Sequence, residues 1–230
     1  MRLFLIRHGQ TPANVLGQLD TAHPGPGLTD RGLEQAARIP DALSDEPIDA
    51  LFASTLVRTQ LTASPLADDR RLDVEVKNGL HEIEAGDLEM RSDHHSVRQY
   101  LETVFAWGSG RLDATMPGGP TGHDFFGRYN SDLQNIVDSG VSSAAVVSHG
   151  AAIRVWVAAH ARNVAPTFAG ENDLDNTGVV VVEGSFADGW TLTRWADRPM
   201  GGAELADAAA ADPTGEPLSE AQAADAADGV

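Results

Sequence analysis

The sequence predicts an α/β fold built around an open sheet. Short apolar runs of strand character alternate with stretches of helical spacing. Two of the runs, Leu3-Phe4-Leu5-Ile6 and Ala144-Ala145-Val146-Val147, close alike, each reaching a histidine followed by glycine. With 230 residues, 42% of them hydrophobic, the chain can bury one substantial core.

The first apolar run predicts a buried strand leading into Arg7-His8-Gly9. Gly9 lets the backbone turn there, and the carboxyl edge of an open sheet is where ligands bind. A neutral imidazole on that edge can attack phosphorus, and a guanidinium beside it can grip the same phosphate. Taken alone, Arg7 and His8 read equally well as a strand end in solvent. The polar, Gly/Pro-rich passage Gln10 to Gly27, with Asn14 and Gln18, predicts a loop with a short helix around Ala13 to Leu16. Leu28-Thr29-Asp30 caps a helix whose buried face is Leu33, Ala36, Ala37 and Leu43, bent or shortened by Pro40.

Ile48 to Ala53 predicts a second strand ending at Ser54, and a second helix begins with Thr55-Leu56-Val57-Arg58. Arg58 then falls in a first turn, where free N–H groups favour an anion, although a surface arginine is the plainer reading. Leu72 to Val76 suits a third strand, followed by the acidic loop Leu80-His81-Glu82-Ile83-Glu84-Ala85-Gly86. Val97, Tyr100, Leu101, Val104 and Phe105 predict a helix of an inserted cap or flanking segment, stopped at Gly108. After a turn at Met116 to Pro120, Phe125 to Val137 predicts another helix, ended by Gly140. The second strand-histidine unit follows, with Ser148-His149-Gly150 leading into a helix carrying Ile153, Trp156 and Val157. Gly178 to Val182 and Trp190 to Trp195 form a final hairpin. From Gly201 the Ala-, Asp- and Glu-rich composition predicts a disordered tail, residues 201–230, beyond a catalytic domain of residues 1–200.

The formal charge of -18 argues against nucleic acid and anionic membrane surfaces as partners. A small phosphorylated substrate remains compatible, because screening over about 8 Å lets a few arginines dominate a pocket. Seven of the carboxylates lie in residues 201–230, which hold no Lys or Arg. The absence of cysteine excludes thiolate catalysis and cysteine-ligated zinc. No apolar run is long enough to cross a bilayer, and the start does not read as a signal peptide, so the expected location is the cytoplasm.

Strand-Arg-His-Gly at the start, an arginine opening the second helix, an acid loop midway and strand-Ser-His-Gly late together resemble the histidine phosphatase superfamily, the phosphoglycerate-mutase-like enzymes. The resemblance covers roughly residues 1 to 197. It implies a three-layer α/β/α domain with a mostly parallel sheet and a small inserted helical cap. It also implies roles: His8 as the nucleophile that becomes a phosphohistidine, Arg7, Asn14, Arg58 and His149 as phosphate ligands, and Glu82 as the proton donor and acceptor. Leu80, Glu82 and Gly86 match the family's acid motif, Ser54 to Arg58 its helix start, and Asn176-Thr177 its late Asn-Thr pair. No metal or other cofactor is implied, since arginines and a histidine supply the positive field. Glu84 and Asp87 lie close enough to Glu82 to compete for its role. His81, His94, His95, His123 and His160 are expected to be surface or structural.

The chain departs from the family pattern at Leu61, where glutamine is usual, and at Gly118-Gly119-Pro120-Thr121, where Gly-Gly-Glu-Ser is common. A phosphomonoesterase acting on a small phosphorylated metabolite is the first reading. A cofactor-dependent phosphoglycerate mutase is the alternative, disfavoured because Ile83 to Leu88 lacks the arginine and tyrosine of mutases. A catalytically silent phosphate-binding protein ranks third, because His8 and Glu82 are both present. Arg91, Arg98 and Arg111 are candidates for substrate specificity, with a solvated role as the plainer reading.

Overall fold

The computed structural model describes residues 1–228. In chain order it contains β1 (Arg2–Arg7), α1 (Pro12–Val15), α2 (Asp30–Ala37), α3 (Ile39–Ala42), β2 (Ala50–Ser54), α4 (Val57–Arg70) and β3 (Val74–Lys77). Next come α5 (His94–Gly108), α6 (Gly122–Asp138), β4 (Ser143–Ser148), α7 (Gly150–His160), α8 (Phe168–Glu171), β5 (Val179–Ser185), β6 (Gly189–Ala196) and α9 (Leu218–Asp228). The strands form one six-stranded sheet in the order β3-β2-β4-β1-β5-β6. β1 to β4 run parallel, and β5 and β6 add an antiparallel hairpin beside β1. This is the mixed α/β architecture expected, with a mostly parallel sheet between helical layers.

The period of two along a strand splits β1 between two cores. Leu3 and Leu5 face the side covered by α5, α6, α7 and α9, while Phe4 and Ile6 face the side of α3 and α4. All four are fully buried, and burial of each such side chain stabilises by about 1.5–3 kcal/mol. β1 is therefore fixed at the centre of the sheet, and with it the position of whatever follows Arg7. Among the described residues, no helix is long and apolar enough to cross a membrane.

Two expectations fail. Leu33 and Ala37, expected on the buried face of the helix that follows Thr29, are both exposed. The stretch breaks at Arg38 ahead of Pro40, and α2 instead buries Gly32, Gln35 and Ala36. Gly32 lies so close to the first loop that a Cβ there would come within 2.2 Å of the Gln10 carbonyl oxygen. The second failure is the tail. Its described residues, 201–228, fold back on the domain instead of remaining disordered, with α9 lying against α5 and Thr214 and Ala221 buried. Apolar and polar contacts both hold it: Ala221 and Leu218 pack on the core, Arg98 Nε pairs with Asp225 at 2.7 Å, and Arg7 pairs with Asp212. Residues 229 and 230 of the predicted tail lie outside the described residues.

Candidate active site

The register of β1 against β4 assembles the site. Arg7 pairs with Ser148, so His8 and His149 leave adjacent strands side by side, their ring centroids 5.2 Å apart. The switch in strand order around this central pair creates the crevice in which α/β ligands bind. Gly9 turns the chain under α2, where a Cβ would meet the Gly32 carbonyl oxygen at 2.7 Å. Its N–H donates to Thr62 Oγ1 at 2.9 Å.

His8 is buried, and its Nδ1 lies 2.8 Å from the Gly9 carbonyl oxygen. A carbonyl can only accept, so Nδ1 carries the hydrogen and Nε2 keeps its lone pair. Burial, followed by the Arg58 and Arg7 charges, pushes the His8 pKa well below the usual imidazole value. The ring is thus neutral and nucleophilic. His149, the residue before α7, is tethered through its other nitrogen, with Nε2 2.8 Å from Ser54 Oγ. Burial, Arg58 and His8 depress its pKa as well.

Arg58 sits in the first turn of α4, as expected from the sequence, and is buried. Its Nη2 donates to the Asp20 carbonyl oxygen at 2.9 Å. Arg7 is fully buried and donates to the Leu174 carbonyl oxygen (2.7 Å), both oxygens of Asp212 (2.5 Å each) and Thr214 Oγ1 (3.0 Å). Burial works against its charge, yet Asp212, helped by Glu82 and Asp175, holds its pKa above the ordinary arginine value. What these three residues leave unused is informative. Arg7 Nε, Arg58 Nε, Arg58 Nη1 and His149 Nδ1 are buried without a hydrogen-bond partner. Each such group costs roughly 1–3 kcal/mol unless something accepts from it. Arg7 precedes His8, the His149 ring lies 5.2 Å from it and Arg58 lines the same recess as His8, so these nitrogens suit an anion held beside the imidazole.

Glu82 lines that recess together with His8, Asn14, Asp20, Arg58 and Thr214 among others, whereas Arg7 and His149 are not among its lining residues. Its Oε1 accepts from Ile83 N and Ala152 N, both at 2.9 Å, and its Oε2 from Ala151 N at 3.1 Å. Burial raises its pKa, and those backbone N–H groups oppose the rise. Its rivals are engaged elsewhere. Glu84 contacts His81 (2.8 Å) and Arg128 (3.1 Å), which bring its pKa down to about 2 despite burial, and Asp87 is not among the lining residues.

Asn14 lies on α1, where its Oδ1 accepts from Thr11 N (2.9 Å) and its Nδ2 donates to Asp212 (2.9 Å). Asn176 Nδ2 donates to the His8 carbonyl oxygen at 3.1 Å, tying the late Asn-Thr pair to the nucleophile's loop. Gln18 also lines the recess. Arg91 and Arg98 pair with Asp93 and Asp225, and neither they nor Arg111 reach it. His81 is buried on the Asn78 carbonyl and Glu84, and His160 stacks on Trp156 at 4.8 Å. Sequence reasoning missed Asp212 and Thr214. The only signal for them is an Asp-Pro-Thr-Gly turn inside an Ala-rich tail, at residues 212–215.

A neutral imidazole with a free nitrogen, a ring of anion donors and a carboxyl group of raised pKa make a recess able to transfer a phosphoryl group. The chain belongs to the histidine phosphatase superfamily (branch 1), whose model matches residues 3–198. It is 36% identical over 216 residues to the Mycobacterium tuberculosis PE-PGRS family protein PE_PGRS11, covering 87% of this chain and 37% of that protein. It is 40% identical over 107 residues to the adenosylcobalamin/alpha-ribazole phosphatase of Escherichia coli, covering 46% of this chain and 52% of the enzyme. The chain thus spans between a third and just over half of the length of these two relatives. A solved mycobacterial glucosyl-3-phosphoglycerate phosphatase superposes with a TM-score of 0.71 at 25% identity, covering 85% of this chain and 98% of that one.

Proposed function

We propose that the chain is a phosphomonoesterase that hydrolyses a small phosphorylated metabolite through a phosphohistidine on His8. The observation that carries this reading is the set of partnerless donors on Arg7, Arg58 and His149 beside an imidazole whose Nδ1 is tied to Gly9. The donors bind the equatorial oxygens of the transferring group, where charge is held in the transition state. His8 Nε2 attacks phosphorus, the bond to the leaving oxygen breaks, and Glu82 gives that oxygen its proton. Water then attacks the phosphohistidine, Glu82 takes a proton from it, and the N–P bond returns its electron pair to His8 as phosphate leaves. Arginine and histidine supply the positive field throughout.

A small metabolite as substrate is supported by the names of the relatives, which act on alpha-ribazole phosphates and a phosphorylated glucosyl-glycerate. It is also supported by a strongly acidic chain that repels polyanions. The cytoplasm, where phosphorylated metabolites are made and consumed, is the compartment this reading implies.

The test is hydrolysis of p-nitrophenyl phosphate by the native chain and by His8→Ala, with brief labelling by a radioactive phosphoester. The expected result is turnover and an acid-labile, alkali-stable label in the native chain, and neither in His8→Ala. Turnover that survives in His8→Ala would sink the phosphohistidine route.

A further inference from the structure

The match to the family ends at residue 198, yet two side chains from beyond it reach Arg7. A guanidinium has five N–H groups in a rigid fork. On Arg7 the four terminal ones meet the Leu174 carbonyl, the two oxygens of Asp212 and Thr214 Oγ1, which leaves Nε alone without a partner. A two-pronged Arg–carboxylate pair fixes the plane of the guanidinium as well as its position. Asp212 Oδ1 also accepts from Asn14 Nδ2 at 2.9 Å, so one carboxylate sets Arg7 and Asn14 in mutual register.

The segment that delivers Asp212 is itself held. Arg154, fully buried beneath it, donates to the Thr214 carbonyl oxygen at 2.9 Å. Gly215 lies where a Cβ would come within 2.2 Å of Arg7 Nη1. Gly150, next to His149, packs against the same segment: a Cβ there would come within 2.5 Å of the Thr214 carbonyl oxygen and 2.9 Å of Arg7 Nε. The Asp212 pair engages Nη1 and Nη2 and leaves Nε, beside Gly150, as the free donor.

We propose that Asp212 is a positioning residue: its carboxylate locks the Arg7 guanidinium with the Nε–H aimed at the transferring phosphate, making residues 212–215 a working part of the active site. The proposal rests on the phosphatase reading. The opposite arrangement, in which the carboxylate competes with phosphate for Arg7, makes opposite predictions.

The experiment uses the full chain, its Asp212→Asn and Thr214→Val variants, steady-state hydrolysis of p-nitrophenyl phosphate, and calorimetric binding of inorganic phosphate. Circular dichroism sets a temperature at which every variant is folded. In Asp212→Asn, kcat is expected to fall by roughly tenfold to a hundredfold, more than KM rises, because the misaimed donor acts mainly in the transition state. Phosphate affinity falls with it. Thr214→Val, which removes one acceptor and keeps the carboxylate pair, loses activity only severalfold. A faster Asp212→Asn enzyme, or one that binds phosphate more tightly, would overturn the proposal and make Asp212 a competitor for the phosphate site. Unchanged kcat in folded Asp212→Asn would reduce the contact to scaffolding. If the native chain binds phosphate but hydrolyses nothing, the phosphatase reading fails, while the phosphate affinity of Asp212→Asn still tests the clamp.

Discussion

The ends of β1 and β4 carry the same local pattern, an apolar strand, a histidine and a glycine, yet the two rings are wired in opposite senses. His8 is held by Nδ1 against its own neighbour's carbonyl, which leaves Nε2 with a lone pair. His149 is held by Nε2 against the hydroxyl of Ser54, at the end of β2, which leaves Nδ1 buried and partnerless. A hydrogen on that Nδ1 makes His149 a donor to an anion, where His8 is an attacker of one. In the proposed reaction, neighbouring strands yield a nucleophile and a phosphate ligand from one motif, and the choice between them lies in which nitrogen the surroundings tether.

This division of labour can be broken at its ends or at its tethers. The largest expected loss among the supporting groups is at Glu82, the proposed proton donor to the leaving oxygen. Glu82→Gln should lower kcat by about 10²–10⁴-fold for a substrate with a poor leaving group. It should also remove the alkaline limb of the pH–rate profile. The sign follows from the two groups: burial lowers the His8 pKa, so its neutral form persists far to the acid side. Burial raises the Glu82 pKa, so the protonated donor persists above the usual carboxylate range and is lost as pH rises further. Profiles of native and variant enzyme check this, and an alkaline limb retained in Glu82→Gln would reassign the donor.

His149→Ala should cost about 10²–10³-fold in kcat while a phosphohistidine still forms on His8, as expected for removal of one transition-state donor. Rapid-quench labelling separates the two roles, since loss of labelling beyond the loss of rate would make His149 more than a ligand. The smallest effect belongs to the tether. Ser54→Ala frees His149 Nε2 and lets the ring choose its tautomer, with a loss of a few-fold up to about tenfold in kcat. Nitrogen chemical shifts of His149 would report the tautomer directly, and an unchanged Nδ1–H form would show that Ser54 does not set it.

Much of this was legible in the chain because it is written locally. The two strand-histidine-glycine units, the arginine in the first turn of α4 and the acid loop each need only a few consecutive residues to be read. The register that pairs Arg7 with Ser148 then does the assembly. Other features depended on contacts that no local pattern announces. Gln35 reads as the polar side of a helix, yet it is buried, accepting from Gln10 N at 2.8 Å and donating to the Leu205 carbonyl at 2.9 Å. The tail reads as disorder because large apolar residues are few. It is held in part by charged and polar anchors whose partners lie across the molecule, the Arg7–Asp212 contact spanning 205 positions.

That span has a consequence for the order in which the protein can become active during its own synthesis. Arg7 is synthesised well before the neighbours of its strand, β4 and β5, which begin at residues 143 and 179. The sheet can close around it then, but the carboxylate that holds the guanidinium still has to be made. A nascent chain that has reached residue 200 carries His8, Arg58, Glu82 and His149 but not Asp212. It therefore lacks the carboxylate that pairs with Arg7 until residue 212 is made, even when its sheet is complete.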